Sequence, residues 1–143
     1  MTAPLPTLAD YPHQTYDKLR YGDTDRQGHV NNAVFSTLLE TGRVEMIYTG
    51  NGLLLDADCS FVIASLQLDY RGEITWPGRV EIGTRIATLG RSSLVMEQCL
   101  YQGATCVATA KTVIVQVNQN SRRAQALGPQ VRQRLSALMQ ASS

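Results

Sequence analysis

The chain has 143 residues, 43% of them hydrophobic and 17% charged, with a formal net charge of +1. That length suits one domain around one core (1–143), and the balanced charge lacks the basic excess of a nucleic-acid binder. The three cysteines, Cys59, Cys99 and Cys106, include no Cys-x-x-Cys pair. Neither a disulfide framework nor a metal site is expected, and a reducing cytoplasm is the simplest setting. Residues 1–12 hold three of the five prolines and read as a flexible arm. They have neither a basic start nor an apolar run, so no signal peptide is expected. No stretch reaches the ~20 apolar residues that a bilayer span needs.

The first predicted strand covers 13–21. The loop YGDTDRQGHVNN follows, rich in Gly, Asp and Asn. A helix is predicted over 33–48, where Val34, Leu38, Gly42 and Met46 recur every four residues and Phe35, Leu39 and Ile47 widen the apolar stripe. Asn31 or Asn32 suits the N-cap, because its side-chain oxygen accepts a free amide of the first turn. Gly50 and Gly52 end the helix. Gly42 inside it costs ~1 kcal/mol relative to Ala, which implies a close approach to a sheet.

The remainder reads as strands. In FVIASLQLDY the set Val62, Ala64, Leu66, Leu68 and Tyr70 alternates onto one face, and Val80, Ile82, Thr84 and Ile86 do the same in the next run. GRSS, at 90–93, connects to a strand over 94–101. Gln102 and Gly103 then turn the chain into a strand over 105–117. Gly128-Pro129 opens a short C-terminal helix, since Pro is tolerated in a first turn. Consecutive strands joined by short turns imply an antiparallel sheet. It must curve around the long helix to bury the helix's apolar surface. The expected architecture is an α+β domain with one wrapped helix.

The chemistry concentrates just before that helix, where Asp23, Asp25, His29, Asn31 and Asn32 fall within ten residues. The first amides of a helix have no intrahelical partner and, with the helix dipole, favour negative charge in front of them. A carbonyl placed there has its developing oxyanion stabilised. Structural explanations compete: Asp and Asn favour turns and caps, and Asp23 reads as a turn residue. Glu40 and Arg43 lie three apart on one helix face and can pair, for a few tenths of a kcal/mol when exposed.

The segment 21–43, YGDTDRQGHVNNAVFSTLLETGR, resembles the signature of hot-dog-fold thioesterases related to 4-hydroxybenzoyl-CoA thioesterase. That pattern is an aromatic residue, Asp-x-Asp, a Gly-containing loop, His-Val-Asn-Asn, then a helix with Glu-x-x-Arg. The resemblance implies a hot-dog fold, an antiparallel sheet wrapped around one long central helix, and acyl-CoA thioester hydrolysis. It implies Asp25 as nucleophile or general base, the backbone amide of Asn32, aided by Ala33, as the group polarising the thioester carbonyl, and Asn31 beside it. His29 orients water or Asp25, or caps the loop. Arg91, Ser92 and Ser93, between the third and fourth strands, map to a turn that contacts CoA phosphates. No cofactor is implied beyond the CoA of the substrate. The implied partners are an acyl-CoA or acyl-carrier-protein thioester and further copies of the chain, as dimers joined along an edge strand or as tetramers. Plant acyl-carrier-protein thioesterases share an Asp-x-Asn-x-His-Val-Asn-Asn run, whose Asn position is Gln27 here.

Two other functions compete. A hot-dog hydratase or dehydratase resembles Asp-x-Asn-Pro-x-His, whereas Asp25 and His29 are four apart with no Pro between them. A non-catalytic acyl-CoA-binding module needs no carboxylate facing the scissile bond.

Overall fold

The structure, a computed structural model, describes residues 5–48 and 55–139. The elements in chain order are β1 (His13–Lys18), α1 (Asn32–Tyr48), β2 (Cys59–Tyr70), β3 (Arg79–Leu89), β4 (Ser93–Gln102), β5 (Thr105–Asn118) and α2 (Pro129–Ser136). All strand pairs are antiparallel, in the order β1-β3-β4-β5-β2. The wrapped α+β arrangement is the one expected. Gly50 and Gly52, the expected end of α1, lie outside the described residues.

The helix starts where a cap is available: the Asn31 carboxamide oxygen accepts the Ala33 amide at 2.9 Å. Its apolar stripe feeds two clusters. Phe35, Leu38 and Leu39 pack with Ile74, Val80, Ile82 and Leu100. Met46 and Ile47 pack with Ile86, Leu94, Met96 and Ile114, and α2 closes that end with Val131 and Leu135. Between the clusters lies a polar layer. Gln98 donates from Nε2 to the Leu39 carbonyl and to Thr84 Oγ1, each at 2.9 Å, and accepts from Arg43 Nη1 at 3.3 Å. Arg43 is therefore buried and bonded to Gln98, with the Glu40 carboxylate acting on its charge from the same helix. The expected close approach occurs in the same layer: a Cβ on Gly42 would stand 2.6 Å from Ile82 Cγ2.

Two expectations are corrected. Residues 5–12 are not a free arm but lie across the sheet's outer face. Tyr11 is buried against Gly83 and Cys99, and the Tyr101 hydroxyl donates to the Pro6 carbonyl. The alternation assigned to β2 also breaks. The register shifts between Ile63 and Ser65, so Ala64 is an extra residue. A one-residue shift exchanges faces, and so Phe61 and Ile63 join Leu66, Leu68 and Tyr70 on the helix side, while Val62 faces outward. This strand is also an edge. The helix sits over β1, β3 and β4, which leaves Ile63, Leu66 and Tyr70 exposed on its side of the sheet, and Val62 is exposed on the outer face.

Candidate active site

The loop before α1 is a miniature hairpin. Thr24 bridges Val30, the Asp25 amide donates to the His29 carbonyl at 2.7 Å, and the Gly28 amide donates to the Asp25 carbonyl at 3.2 Å. Gly28 has φ +83°, which any side chain would adopt only under strain. Asp25 Oδ1 accepts the amides of Gln27 at 2.8 Å and His29 at 3.2 Å, so half of the carboxylate fixes the loop. The other half, Oδ2, has no hydrogen-bond partner among the described residues. Asp23 is structural: its carboxylate is buried and takes the Arg20 amide and guanidinium.

The hairpin is fastened to the segment after β2. His29 bridges Thr75 and the Val30 amide donates to the Ile74 carbonyl at 2.8 Å. This pairing carries Glu73 to the site, with Oε2 3.0 Å from His29 Nε2. A cavity of about 360 Å³ opens here, lined by Asp25, Gln27, His29, Asn32 and Glu73 with Phe35 and Tyr70. Phe35 and Tyr70 meet edge to face at 4.9 Å, and the Tyr70 hydroxyl donates to the Asn32 carbonyl at 3.2 Å.

At the helix start the amides divide. Asn31 takes the Ala33 amide with its side chain and the Val34 amide with its carbonyl. Among the described residues the Asn32 amide has no acceptor. Ala33 is therefore occupied by the cap, and Asn32 is the open donor beside the cavity.

Arg91, Ser92 and Ser93 stand elsewhere. Their turn is at the other end of the sheet, where Arg91 and Ser92 carbonyls accept the Leu127 and Gln116 amides. Gln102, at the site end of β4, bonds Thr75. The ten residues of β4 thus put the turn about 30 Å from the cavity within one chain. Sequence reasoning missed Glu73 and Tyr70, because only long-range pairing brings β2 and its sequel to the loop. Among the described residues no group of three or more His, Cys, Asp or Glu could hold a metal ion, and no helix is long and apolar enough to cross a membrane.

Known proteins resemble this chain over nearly all of its length. Residues 19–135 match the model of the thioesterase-like superfamily. A thioesterase of Thermus thermophilus, solved with coenzyme A and Zn, superposes with a TM-score of 0.78 at 32% identity, covering 90% of this chain and 95% of that one. The PA5185 protein of Pseudomonas aeruginosa PAO1 gives 0.84 at 29% identity, covering 98% and 100%. The protein YsmA of Bacillus subtilis is 27% identical over 131 residues, 84% of this chain and 88% of its own.

Proposed function

The chain belongs to the thioesterase-like superfamily and is a thioesterase of hot-dog fold, and from that premise we propose that it hydrolyses acyl-CoA-type thioesters to a carboxylic acid and CoA, with Asp25 as nucleophile or general base. The observation that carries this reading is the cavity shared by Asp25 and Asn32. A thioester carbonyl seated there meets the Asn32 amide at the positive end of α1, which stabilises the developing oxyanion. One such donor contributes about 3–4 kcal/mol in other enzymes. The leaving group needs little acid assistance, because thiols ionise near ~8.5. Asp25 Oδ2 then attacks the carbonyl carbon to form an anhydride, or takes a proton from water. No cofactor is required beyond the CoA of the substrate; CoA and an acyl-carrier protein offer the same thioester.

The working unit is a dimer paired along β2. Its uncovered edge and the exposed Val62, Ile63, Leu66 and Tyr70 support this. Antiparallel pairing of two β2 strands about a two-fold axis reverses the partner. The partner's Arg91, Ser92 and Ser93 then come to the end of the sheet that holds Asp25, a placement suited to CoA phosphates. The proposed setting is the cytoplasm. Release of free thiol from acetyl-, hexanoyl-, palmitoyl- and benzoyl-CoA tests the reaction: hydrolysis of at least one is expected, and binding of CoA esters without thiol release would refute it.

A further inference from the structure

Glu73 belongs to none of the motifs around Asp25, yet the scaffold fixes it at the site. The Gly72 amide donates to the Val107 carbonyl, Ile74 is fully buried, and Gln102 clamps Thr75 by accepting its amide and donating to its carbonyl. Ile74 is buried in the core, and Glu73 beside it lines the cavity it shares with Asp25 and His29. The Glu73 side chain is two-thirds exposed, so its pair with His29 adds little stability. What the contact does is hold the imidazole.

We propose that Glu73 is a positioning residue for His29 and that the pair activates the hydrolytic water. The inference rests on the reading of Asp25 as nucleophile. With Nε2–H donating to Glu73, His29 keeps a lone pair on Nδ1. Asp25 Oδ2 bonds to the acyl carbon, the C–S bond breaks, and the thiolate leaves a mixed anhydride. Nδ1 takes a proton from water as the water oxygen bonds to the acyl carbon. The C–O bond to Asp25 breaks, its carboxylate returns, and the imidazolium gives its proton to the thiolate. Glu73 touches no reacting atom.

Stopped-flow thiol release on the best of the four CoA esters tests this with Glu73→Gln, His29→Gln, the double variant and Asp25→Asn. Glu73→Gln is expected to lower kcat about 10- to 100-fold with KM little changed. It should show a burst approaching one thiol per site, because acylation outruns deacylation, and the double variant should be no slower than His29→Gln. In ¹⁵N NMR, where His13 and His29 are the two histidines, Glu73→Gln should move the His29 ring signals and leave those of His13. Wild-type turnover in Glu73→Gln, or an unchanged His29 spectrum, overturns the inference, while an inactive Asp25→Asn keeps the thioesterase reading standing. Near-normal hydrolysis by Asp25→Asn overturns the reading of Asp25 itself, and this inference with it.

Discussion

Gly42→Ala is expected to destabilise the protein although it improves a helix former. The added Cβ would stand 2.6 Å from Ile82 Cγ2, 2.8 Å from Thr84 Oγ1 and 2.9 Å from Gln98 Nε2. Carbon atoms pack at ~3.5–4.0 Å, so α1 must lift by about 1 Å at its middle. Overpacking of this kind costs about 1–3 kcal/mol. The lift also stretches the Gln98 bonds to the Leu39 carbonyl and Thr84, each worth about 1 kcal/mol. Helix propensity returns ~1 kcal/mol. The net loss is about 1–3 kcal/mol, or roughly 4–12 °C in Tm. Urea unfolding at one fixed protomer concentration measures it, with the slope m compared between variants. Ile82→Ala supplies the control. Alone it leaves a cavity costing about 2–5 kcal/mol, but in the Gly42→Ala background it relieves the closest of the three contacts, so the two effects should fall short of additivity by about 1 kcal/mol. A Gly42→Ala protein as stable as the wild type, or strict additivity, would refute the steric argument.

Other regions give independent tests. Burial pushes the His13 imidazole below its ordinary 6.5, with Glu45 opposing, and Nε2 is buried without a hydrogen-bond partner among the described residues. The unfolded chain therefore binds that proton first. The stabilisation is whole above 6.5 and is lost as pH falls through that value toward the depressed folded pKa. His13→Gln should flatten the fall in urea midpoint between about pH 7.5 and 5, and parallel curves would contradict this. Burial pushes the Cys99 thiol up to about 12, and Cys59 and Cys106 are buried too. A thiol-specific disulfide reagent at about pH 8 should label the native protein slowly, and all three cysteines only once it is unfolded; rapid native labelling would count against this packing. On the β2 edge, Leu66→Lys should convert a sedimenting dimer to monomer at micromolar concentration, and a wild-type monomer would remove the proposed assembly.

What the sequence made legible was local. The four-residue recurrence from Val34 to Met46 located α1, the Asn pair located its start, and an otherwise costly Gly42 announced its contact with the sheet. The alternation of Val80, Ile82, Thr84 and Ile86 is seen as four buried side chains on one face of β3. Illegible features depend on partners distant in the chain. The bulge at Ala64 reverses a strand whose pattern read cleanly from either side. Arg43 resembles half of a surface pair with Glu40 until Gln98, from β4, is placed beneath it. The loop's resemblance to the thioesterase signature pointed to Asp25, His29 and Asn32, which line one cavity. It held no sign that Glu73 and Tyr70 complete the walls. Those contacts follow from the pairing of His29 with Thr75 and from the end of β2 reaching the helix start.

In the proposed reaction the Asp25 Oδ2 and the Asn32 amide, on one cavity, together drive the hydrolysis. Steady-state thiol release by Asp25→Asn tests it most directly. The substitution keeps Oδ1 as acceptor for the Gln27 and His29 amides, so the fold and thermal stability should hold while kcat falls about 10²- to 10⁴-fold. A folded Asp25→Asn protein that hydrolyses its best CoA ester at close to the wild-type rate would contradict the account.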